Sequence, residues 1–244
     1  MAFAQAAARR PIEGAVATAG VSDRIAFLRK TYAHLGAALI AFAMIAFGMM
    51  RFATEFSFSF SRWAFTGRWN WALVIGLFMV VGYIAERLAR SETSRGIQYV
   101  GLGIAVLAEG LILQPLLWVL FLRFHAASSI LSQAIAITLA IFVGLTLTVF
   151  ITKKDFSFLR GVLSICTFAV LGIIIASILF GFTLGAVFCG FVVLLMAGYI
   201  LFQTSIIMKE FPPTAHVSAA LMLFSTVATL FWYVLQLLMS LQRD

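Results

Sequence analysis

One carboxyl group, that of Glu109, lies near the centre of the long apolar segment 97–122. Pro115 follows in the same segment, and because proline has no backbone N–H, the carbonyl oxygen of Leu111 loses its usual helical partner. An ionisable group at membrane depth is costly and marks a candidate functional site. Glu109 could bind a proton or a cation, which we prefer, or be a neutral acid hydrogen-bonded to a neighbouring helix. We expect it to be shielded from water and protonated near neutral pH.

The other side chains capable of catalysis or metal binding are scattered along the chain. The three histidines, His34, His125 and His216, lie on different segments. Cys166 and Cys189 lie within apolar runs, where cysteine is a small packing residue. The sequence contains no His-Glu-x-x-His zinc motif, no Gly-x-Ser-x-Gly nucleophile motif and no phosphate loop. We therefore predict that the protein is not an enzyme and has no catalytic residue, no metal site and no cofactor.

Composition places these residues in a membrane. Hydrophobic residues make up 63% of the 244 residues, charged residues make up 11%, and the mean hydropathy is +1.08. A soluble domain cannot bury that much apolar surface, so the sequence predicts an all-α, polytopic membrane bundle. The formal net charge of +8 comes from basic residues in short loops. It indicates contact with lipid headgroups rather than with nucleic acid.

The apolar runs predict seven transmembrane helices. They cover 32–50, 69–85, 97–122, a fourth segment ending near 151, 158–180, 182–208 and 214–241. Between the first two we predict an interfacial loop, 51–68, that carries Phe56, Phe58, Phe60 and Trp63. The chain thus divides into a basic tail, 1–30, and a seven-helix domain, 31–244.

The tail lacks the apolar core and cleavage site of a secretory signal. An organelle transit peptide is a weaker alternative, because Glu13 and Asp23 interrupt its basic character. Within the tail, Ser22 is predicted to cap a short interfacial helix over 22–30.

Small residues suggest which helix is central. Gly181, Gly185 and Cys189 are four apart, and if they share one face of the sixth helix they would let two backbones approach closely. That spacing predicts the sixth helix at the centre of the bundle. The alternative is that they are simply small residues in a glycine-rich membrane protein.

The charged segment 151–161 fixes the orientation. It contains Lys153, Lys154, Asp155 and Arg160 between two uncharged runs, so it must lie at a membrane surface. Twelve of the 17 Lys and Arg residues lie on the same side as this loop if the helices alternate. The positive-inside rule then places the N-terminus in the cytoplasm and the C-terminus outside.

The same loop carries a family resemblance. Residues 152–159, Thr-Lys-Lys-Asp-Phe-Ser-Phe-Leu, resemble a signature of the Bax inhibitor-1 family. Further similarities lie at 109–115, Glu-Gly-Leu-Ile-Leu-Gln-Pro, at 200–206, at 219–231 and, more weakly, at 27–32. Lys153, Lys154 and Asp155 are the charged residues of this signature loop. The resemblance implies the family's seven-helix membrane fold over the whole chain.

The departures from the family pattern concern its ion site. Many members are expected to have an acidic pair in helices six and seven that acts as a pH-sensitive latch on a calcium pathway. Gln203 and Thr226 occupy those positions here, and Thr229 replaces an asparagine. Neither Gln nor Thr titrates near neutral pH. The candidate intramembrane polar or ion site therefore comprises Glu109, Gln203, Thr226 and Thr229, and for Gln203 and Thr226 we prefer simple interhelical hydrogen bonding.

Two functions follow from the resemblance. The residues in these motifs resemble more closely those of the bacterial branch of the family, which modulates a membrane-anchored ATP-dependent protease. This favours an inner-membrane protein that binds such a protease or a related quality-control complex. The alternative is a calcium or proton leak that lacks the acidic pH sensor. A pH-gated calcium channel built on the acidic pair is not expected. The predicted partners are membrane lipids, the protease, and calcium or protons.

Overall fold

The computed structural model describes residues 13–91, 94–152 and 154–242. These residues form nine α-helices, joined by short connections and two 3-10 turns, and no strand. The helices are α1 (Val21–Phe52), α2 (Thr54–Thr66), α3 (Arg68–Ala89), α4 (Arg95–Ile112), α5 (Gln114–Arg123), α6 (Ala127–Thr152), α7 (Arg160–Phe180), α8 (Ala186–Glu210) and α9 (His216–Leu241). The predicted all-α class is confirmed.

Seven helical segments are long and apolar enough to cross a membrane: α1, α3, α4 with α5, α6, α7, α8 and α9. This confirms the predicted number of spans within the described residues. We call the end of the bundle that carries the connection 154–156 the loop face, and the other end the opposite face. The α3–α4 and α8–α9 connections also lie at the loop face, and α2 lies at the opposite face.

The third span is broken where the sequence predicted one continuous helix. α4 ends at Ile112 and α5 begins at Gln114, with Leu113 between them. Pro115 causes the break, because it cannot donate a backbone hydrogen bond to Leu111. The two pieces together still form one span, Arg95–Arg123.

The first helix begins earlier than predicted. α1 runs without interruption from Val21, so the separate helix over 22–30 with Ser22 as its cap is wrong, and Gly20 occupies the N-cap position. No proline lies between residues 21 and 52, so the helix has no reason to stop at the membrane surface. Before it, the backbone N–H of Val16 donates to the carbonyl oxygen of Phe211. This bond holds the end of the tail against the α8–α9 turn.

The predicted interfacial loop 51–68 is instead largely the helix α2. Its buried residues, Ser57, Ser61 and Ala64, recur every three or four positions and therefore share a helical face. The aromatic residues Phe56 and Trp63 are exposed on the other side. Small polar residues face the protein here and large aromatic residues face the surroundings. A helix prediction that looks for apolar residues on the buried face and polar residues on the exposed face therefore misses α2.

α9, and not the sixth span, is at the centre of the bundle. It packs against α1, α3, α4, α6 and α8. Leu223, Phe224, Leu230 and Leu235 of α9 are fully buried. The prediction for the sixth span is wrong because Gly181 and Gly185 lie outside α8. Gly181 ends α7 in a left-handed conformation with φ 78°, and Gly185 is the N-cap of α8.

The close backbone contact lies between α3 and α4. A Cβ atom placed on Gly101 would lie 2.6 Å from both the carbonyl oxygen of Ala85 and the backbone nitrogen of Ala89. Only glycine fits at that distance. Small residues do bring two helices together in this protein, as in other membrane bundles, but at α3 and α4 and not at the sixth span.

Candidate functional site

A cavity of about 420 Å³ lies between α3, α4, α7, α8 and α9. All four residues of the predicted polar site line it: Glu109, Gln203, Thr226 and Thr229. The hydroxyl-bearing residues Thr167, Tyr199, Ser218 and Ser225 line it as well. The cavity reaches the loop face at Glu86 and Arg90, which form an exposed ion pair on α3. Polar side chains from separate helices thus share one cavity that leads from the loop face into the bundle.

Glu109 is deep in this cavity. It lies fourteen residues after Arg95, the first residue of α4, which corresponds to about 21 Å along the helix. Within residues 13–91, 94–152 and 154–242, its carboxyl group makes no hydrogen bond or ion pair. Glu86 is the other carboxyl group that lines the cavity, and it is paired with Arg90 at the surface. The acid at depth therefore faces the cavity with no protein partner.

Gln203 and Thr226 are partners of each other. The Thr226 hydroxyl donates to Oε1 of Gln203 over 2.8 Å, joining α8 to α9. The carbonyl oxygen of Met222, at 3.2 Å, is a second acceptor for that hydroxyl. Thr229 donates to the carbonyl oxygen of Ser225 in its own helix. At the positions of the expected acidic pair, this chain has a neutral hydrogen bond between helices.

Tyr199 and Thr167 were missed by the sequence analysis. Their hydroxyl groups are 2.7 Å apart and link α8 to α7. Tyr199 lies four residues before Gln203, so the two side chains share a face of α8. That spacing could have identified Tyr199 from the sequence as a further residue of the polar site. Thr167 offers no comparable signal in a run of apolar residues.

Beyond Glu109, toward the opposite face, the bundle is tightly packed around Gln114. This side chain is fully buried. Its amide nitrogen donates to the carbonyl oxygens of Ala46 and Gly110, and its oxygen accepts from Ser57. Trp118 donates its indole N–H to the Ser57 hydroxyl. These bonds join α1, α2, α4 and α5 in a satisfied polar cluster on the far side of the cavity.

The signature loop is attached to the end of α8. The ammonium group of Lys209 lies 2.7 Å from Oδ2 of Asp155, and Oδ1 of Asp155 accepts from the Ser205 hydroxyl and the Ser157 backbone N–H. Arg160 forms an ion pair with Glu210 through both carboxylate oxygens. The sequence identified Asp155 but not these partners. Lys154 is among the described residues, whereas Lys153 lies outside them.

The surroundings of Asp155 act on its acidity in two directions. Partial burial alone would raise the pKa of Asp155, but hydrogen bonds from Lys209 and Ser157 and the positive charge of Lys209 outweigh it. The net effect is a pKa below the ordinary value of 3.8. Asp155 is therefore ionised at neutral pH and binds the loop to α8 as a charged group.

Two histidines that are distant in the sequence meet at the loop face. The rings of His34 and His216 have centroids 5.1 Å apart, and Nε2 of His34 lies 3.0 Å from the Tyr99 hydroxyl. Nδ1 of His34 is within hydrogen-bond distance of the Lys30 carbonyl oxygen. His125 lies at the opposite face. In the described part of the chain, no three His, Cys, Asp or Glu side chains come together as a metal site would require.

Comparison with known proteins identifies the family. Residues 24–243 match the family described as inhibitor of apoptosis-promoting Bax1. The chain belongs to the Bax inhibitor-1 family. Bax inhibitor 1 of Schizosaccharomyces pombe is 32% identical over 234 residues, which cover 94% of this chain and 82% of the yeast protein. The resemblance drawn from the loop and the helix motifs is thereby confirmed.

Two bacterial proteins match over shorter lengths. An uncharacterized membrane protein of Vibrio cholerae is 32% identical over 126 residues, 48% of this chain and 54% of that protein. An uncharacterized protein of Pseudomonas aeruginosa is 28% identical over 124 residues, 48% of this chain and 53% of that protein. No solved structure gives a significant match. The comparisons establish an integral membrane protein of the Bax inhibitor-1 family.

Proposed function

We propose that this Bax inhibitor-1 family protein binds a proton or a small cation at Glu109 and is a slow leak for it across the membrane. One observation carries the proposal: an unpartnered carboxyl group lies at mid-membrane depth in a cavity that contains hydroxyl groups and reaches the loop face. A carboxyl group without a partner is expensive to keep in such a place. A structural role would be better served by a hydrogen-bonded group such as Gln114.

The chemistry of the cavity favours a proton or a monovalent cation over calcium. Calcium takes six to eight oxygen ligands, with carboxylates prominent among them. Glu109 supplies one carboxylate, and the amide oxygen of Gln203 already accepts a hydrogen bond from Thr226. The second carboxylate of the cavity, Glu86, is paired with Arg90 at the surface, and the other lining oxygens are those of neutral hydroxyl groups. Such a site holds a proton by covalent protonation of Glu109 and a cation only weakly.

Passage beyond Glu109 requires movement. Leu113 and Gln114 are buried on the far side, where a Cβ on Gly110 would lie 2.6 Å from Cγ2 of Ile45. A leak past this point therefore requires that the packing around Gln114 loosens. This is the reason for proposing a slow leak and not a wide channel.

Flux into proteoliposomes tests the proposal. Proton and calcium uptake are measured separately across about two pH units around neutrality. We expect a slow proton flux that Glu109→Gln removes. Glu55→Gln, which changes an exposed acid on α2 outside the cavity, should leave it unchanged. Calcium flux should be small and without a steep dependence on pH. Equal proton flux in the parent and Glu109→Gln would contradict the role of Glu109. A steep, pH-dependent calcium flux abolished by Glu109→Gln would make calcium the cargo.

Protease modulation is the second candidate, and the fixed loop face favours it. The ion pairs Asp155–Lys209 and Arg160–Glu210 hold the signature loop in one position on α8. A membrane-anchored ATP-dependent protease could bind such a surface together with the basic tail. Co-purification from native membranes tests this, comparing the parent with Asp155→Asn and with Glu86→Gln as the control. Loss of a bound protease in Asp155→Asn alone would support it, and absence of any protease from the parent would count against it.

We also propose that the protein lies in the bacterial inner membrane with its loop face toward the cytoplasm and is not an enzyme. The distribution of basic residues supports this orientation. Cysteine introduced at Ser22 and, separately, at Arg243, which lies outside the described residues, can be labelled with a membrane-impermeant reagent. The parent, with its native Cys166 and Cys189, is the control. Labelling of both positions from the same side of the membrane would refute the proposal that the N-terminus and the C-terminus lie on opposite sides.

A further inference from the structure

A second cavity, separate from the polar one, opens on the membrane-facing side of the bundle. It has a volume of about 410 Å³ and lies between α1, α5, α6 and α9. Its floor is made of buried residues such as Leu117, Val227 and Ala228, and its rims of exposed ones such as Phe47 and Leu139. Thr138 apart, the side chains that line it are apolar. We call this space the groove.

The groove has the length of one leaflet of a membrane. On α1 it extends from Met50, two residues before the end of the helix, to Leu39, thirteen residues before it, which spans depths of about 3 to 20 Å. On α6 it extends from Leu131 to Leu139, or about 6 to 18 Å from the start at Ala127. The hydrocarbon core of a bilayer is about 30 Å thick, so one leaflet accounts for about 15 Å. A helix of a partner would cross both leaflets, whereas an acyl chain occupies one.

Positive charge lies at the membrane-surface end of the groove. Arg51 directly follows the lining residue Met50, and Arg123 lies two residues after the lining residue Phe121. Both arginines are exposed, and neither makes an ion pair within the described chain. Glu55 on α2 is the nearby acid, and it is not paired with them. A guanidinium group at headgroup level attracts the phosphate of an anionic lipid.

We propose that the groove is a binding site for one anionic phospholipid of the leaflet at the opposite face. One acyl chain lies along α1 and α6 over the floor provided by α9, and the headgroup lies against Arg51 and Arg123. The second acyl chain remains in the bilayer. Binding gains from the contact of each methylene with the groove and from the two guanidinium groups. The site is independent of Glu109 and of any flux through the polar cavity.

Native mass spectrometry of the full chain in detergent tests the proposal, with phosphatidylglycerol and phosphatidylcholine added at equal concentration. We expect one tightly bound lipid per chain and a preference for phosphatidylglycerol of about fivefold or more, since each arginine near an anionic headgroup is expected to contribute about that factor. The double variant Arg51→Ala/Arg123→Ala should lose this preference. Arg62→Ala, which removes an exposed positive charge from α2, should keep it.

The acyl chain is tested by filling the groove. Ala43 lines the groove and is exposed, so Ala43→Trp should occupy the space and lower the retained lipid about fivefold or more. Ala169→Trp places the same side chain on the exposed surface of α7, away from the groove, and should retain lipid as the parent does. Equal retention in Ala43→Trp and Ala169→Trp would overturn the proposal. The proposal would also be overturned if the parent bound no lipid. It would be overturned as well if the parent were a dimer that Ala43→Trp converts to a monomer, because the groove would then be an interface between two copies of this chain.

Discussion

Asp155 and Glu109 are carboxyl groups of one chain in opposite surroundings. Asp155, at the loop face, binds Lys209, Ser205 and the Ser157 backbone, and it fixes a connection to α8. Glu109, at mid-membrane depth, has no partner in the described residues. The carboxyl group at the membrane surface is bound by the protein, and the carboxyl group at membrane depth is left without a protein partner. The difference separates a structural acid from a candidate functional one.

The largest expected effect comes from replacing Glu109, the carboxyl group without a protein partner. Glu109→Lys replaces a group that can become neutral by protonation with one that is charged in the middle of the bilayer, at a cost of about 3 kcal/mol. We expect little folded protein and a much lower melting temperature in detergent, as measured by fluorescence-detected size exclusion after heating. A variant as stable as the parent would mean that the cavity is hydrated like bulk water.

The next largest effect comes from replacing Asp155, the acid that binds the loop to α8. Asp155→Asn should cost about 1–2 kcal/mol of unfolding free energy, because the side chains of Asp155 and Lys209 are only 12% and 25% exposed and their attraction is weakly screened. The matched control is Glu86→Gln, whose pair with Arg90 is about half exposed and should contribute less than about 0.5 kcal/mol. Denaturant titration in detergent measures both. Equal losses in the two variants would remove the distinction between them.

The pH dependence of stability sharpens the same contrast. The pKa of Asp155 is lower in the folded protein than its ordinary value of 3.8, so its stabilising contribution is fully present above that value. As the pH falls through the folded pKa, the carboxylate is protonated and the contribution is lost. Melting temperatures measured between neutrality and acid should fall more steeply for the parent than for Asp155→Asn below about pH 4. Parallel curves would show that the ion pair does not contribute.

The smallest expected effect concerns Glu109 again. Glu109→Gln keeps the size and polarity of a protonated glutamic acid, so the unfolding free energy should change by no more than about 0.5 kcal/mol. Thermal unfolding at neutral pH in detergent checks this. Loss of most of the stability would point to a charged Glu109 bound to a partner, and the two acids would then be alike.

Seven spans follow from the apolar runs alone, and the structure confirms them, because hydrocarbon leaves the backbone few choices. The helix α2 could not be predicted in this way, since its buried face consists of two serines and one alanine. The central position of α9 does not follow either, because an apolar run does not reveal whether it faces lipid or protein. The sequence selected the four candidate polar residues, and the structure brings them to one cavity. The ion partners Lys209 and Glu210 are about fifty residues from the loop and depend on tertiary packing.

The central position of α9 has a consequence for biogenesis. The other eight helices of the described chain precede it in sequence, and proteins are synthesised from the N-terminus at about 5–20 residues per second. The earlier spans therefore enter the membrane before the helix that they surround exists. The contacts of α1, α4, α6 and α8 with α9 can therefore form only after those four helices have been inserted. An insertase or chaperone that shields the surfaces of these helices that contact α9 would act during the interval before α9 arrives.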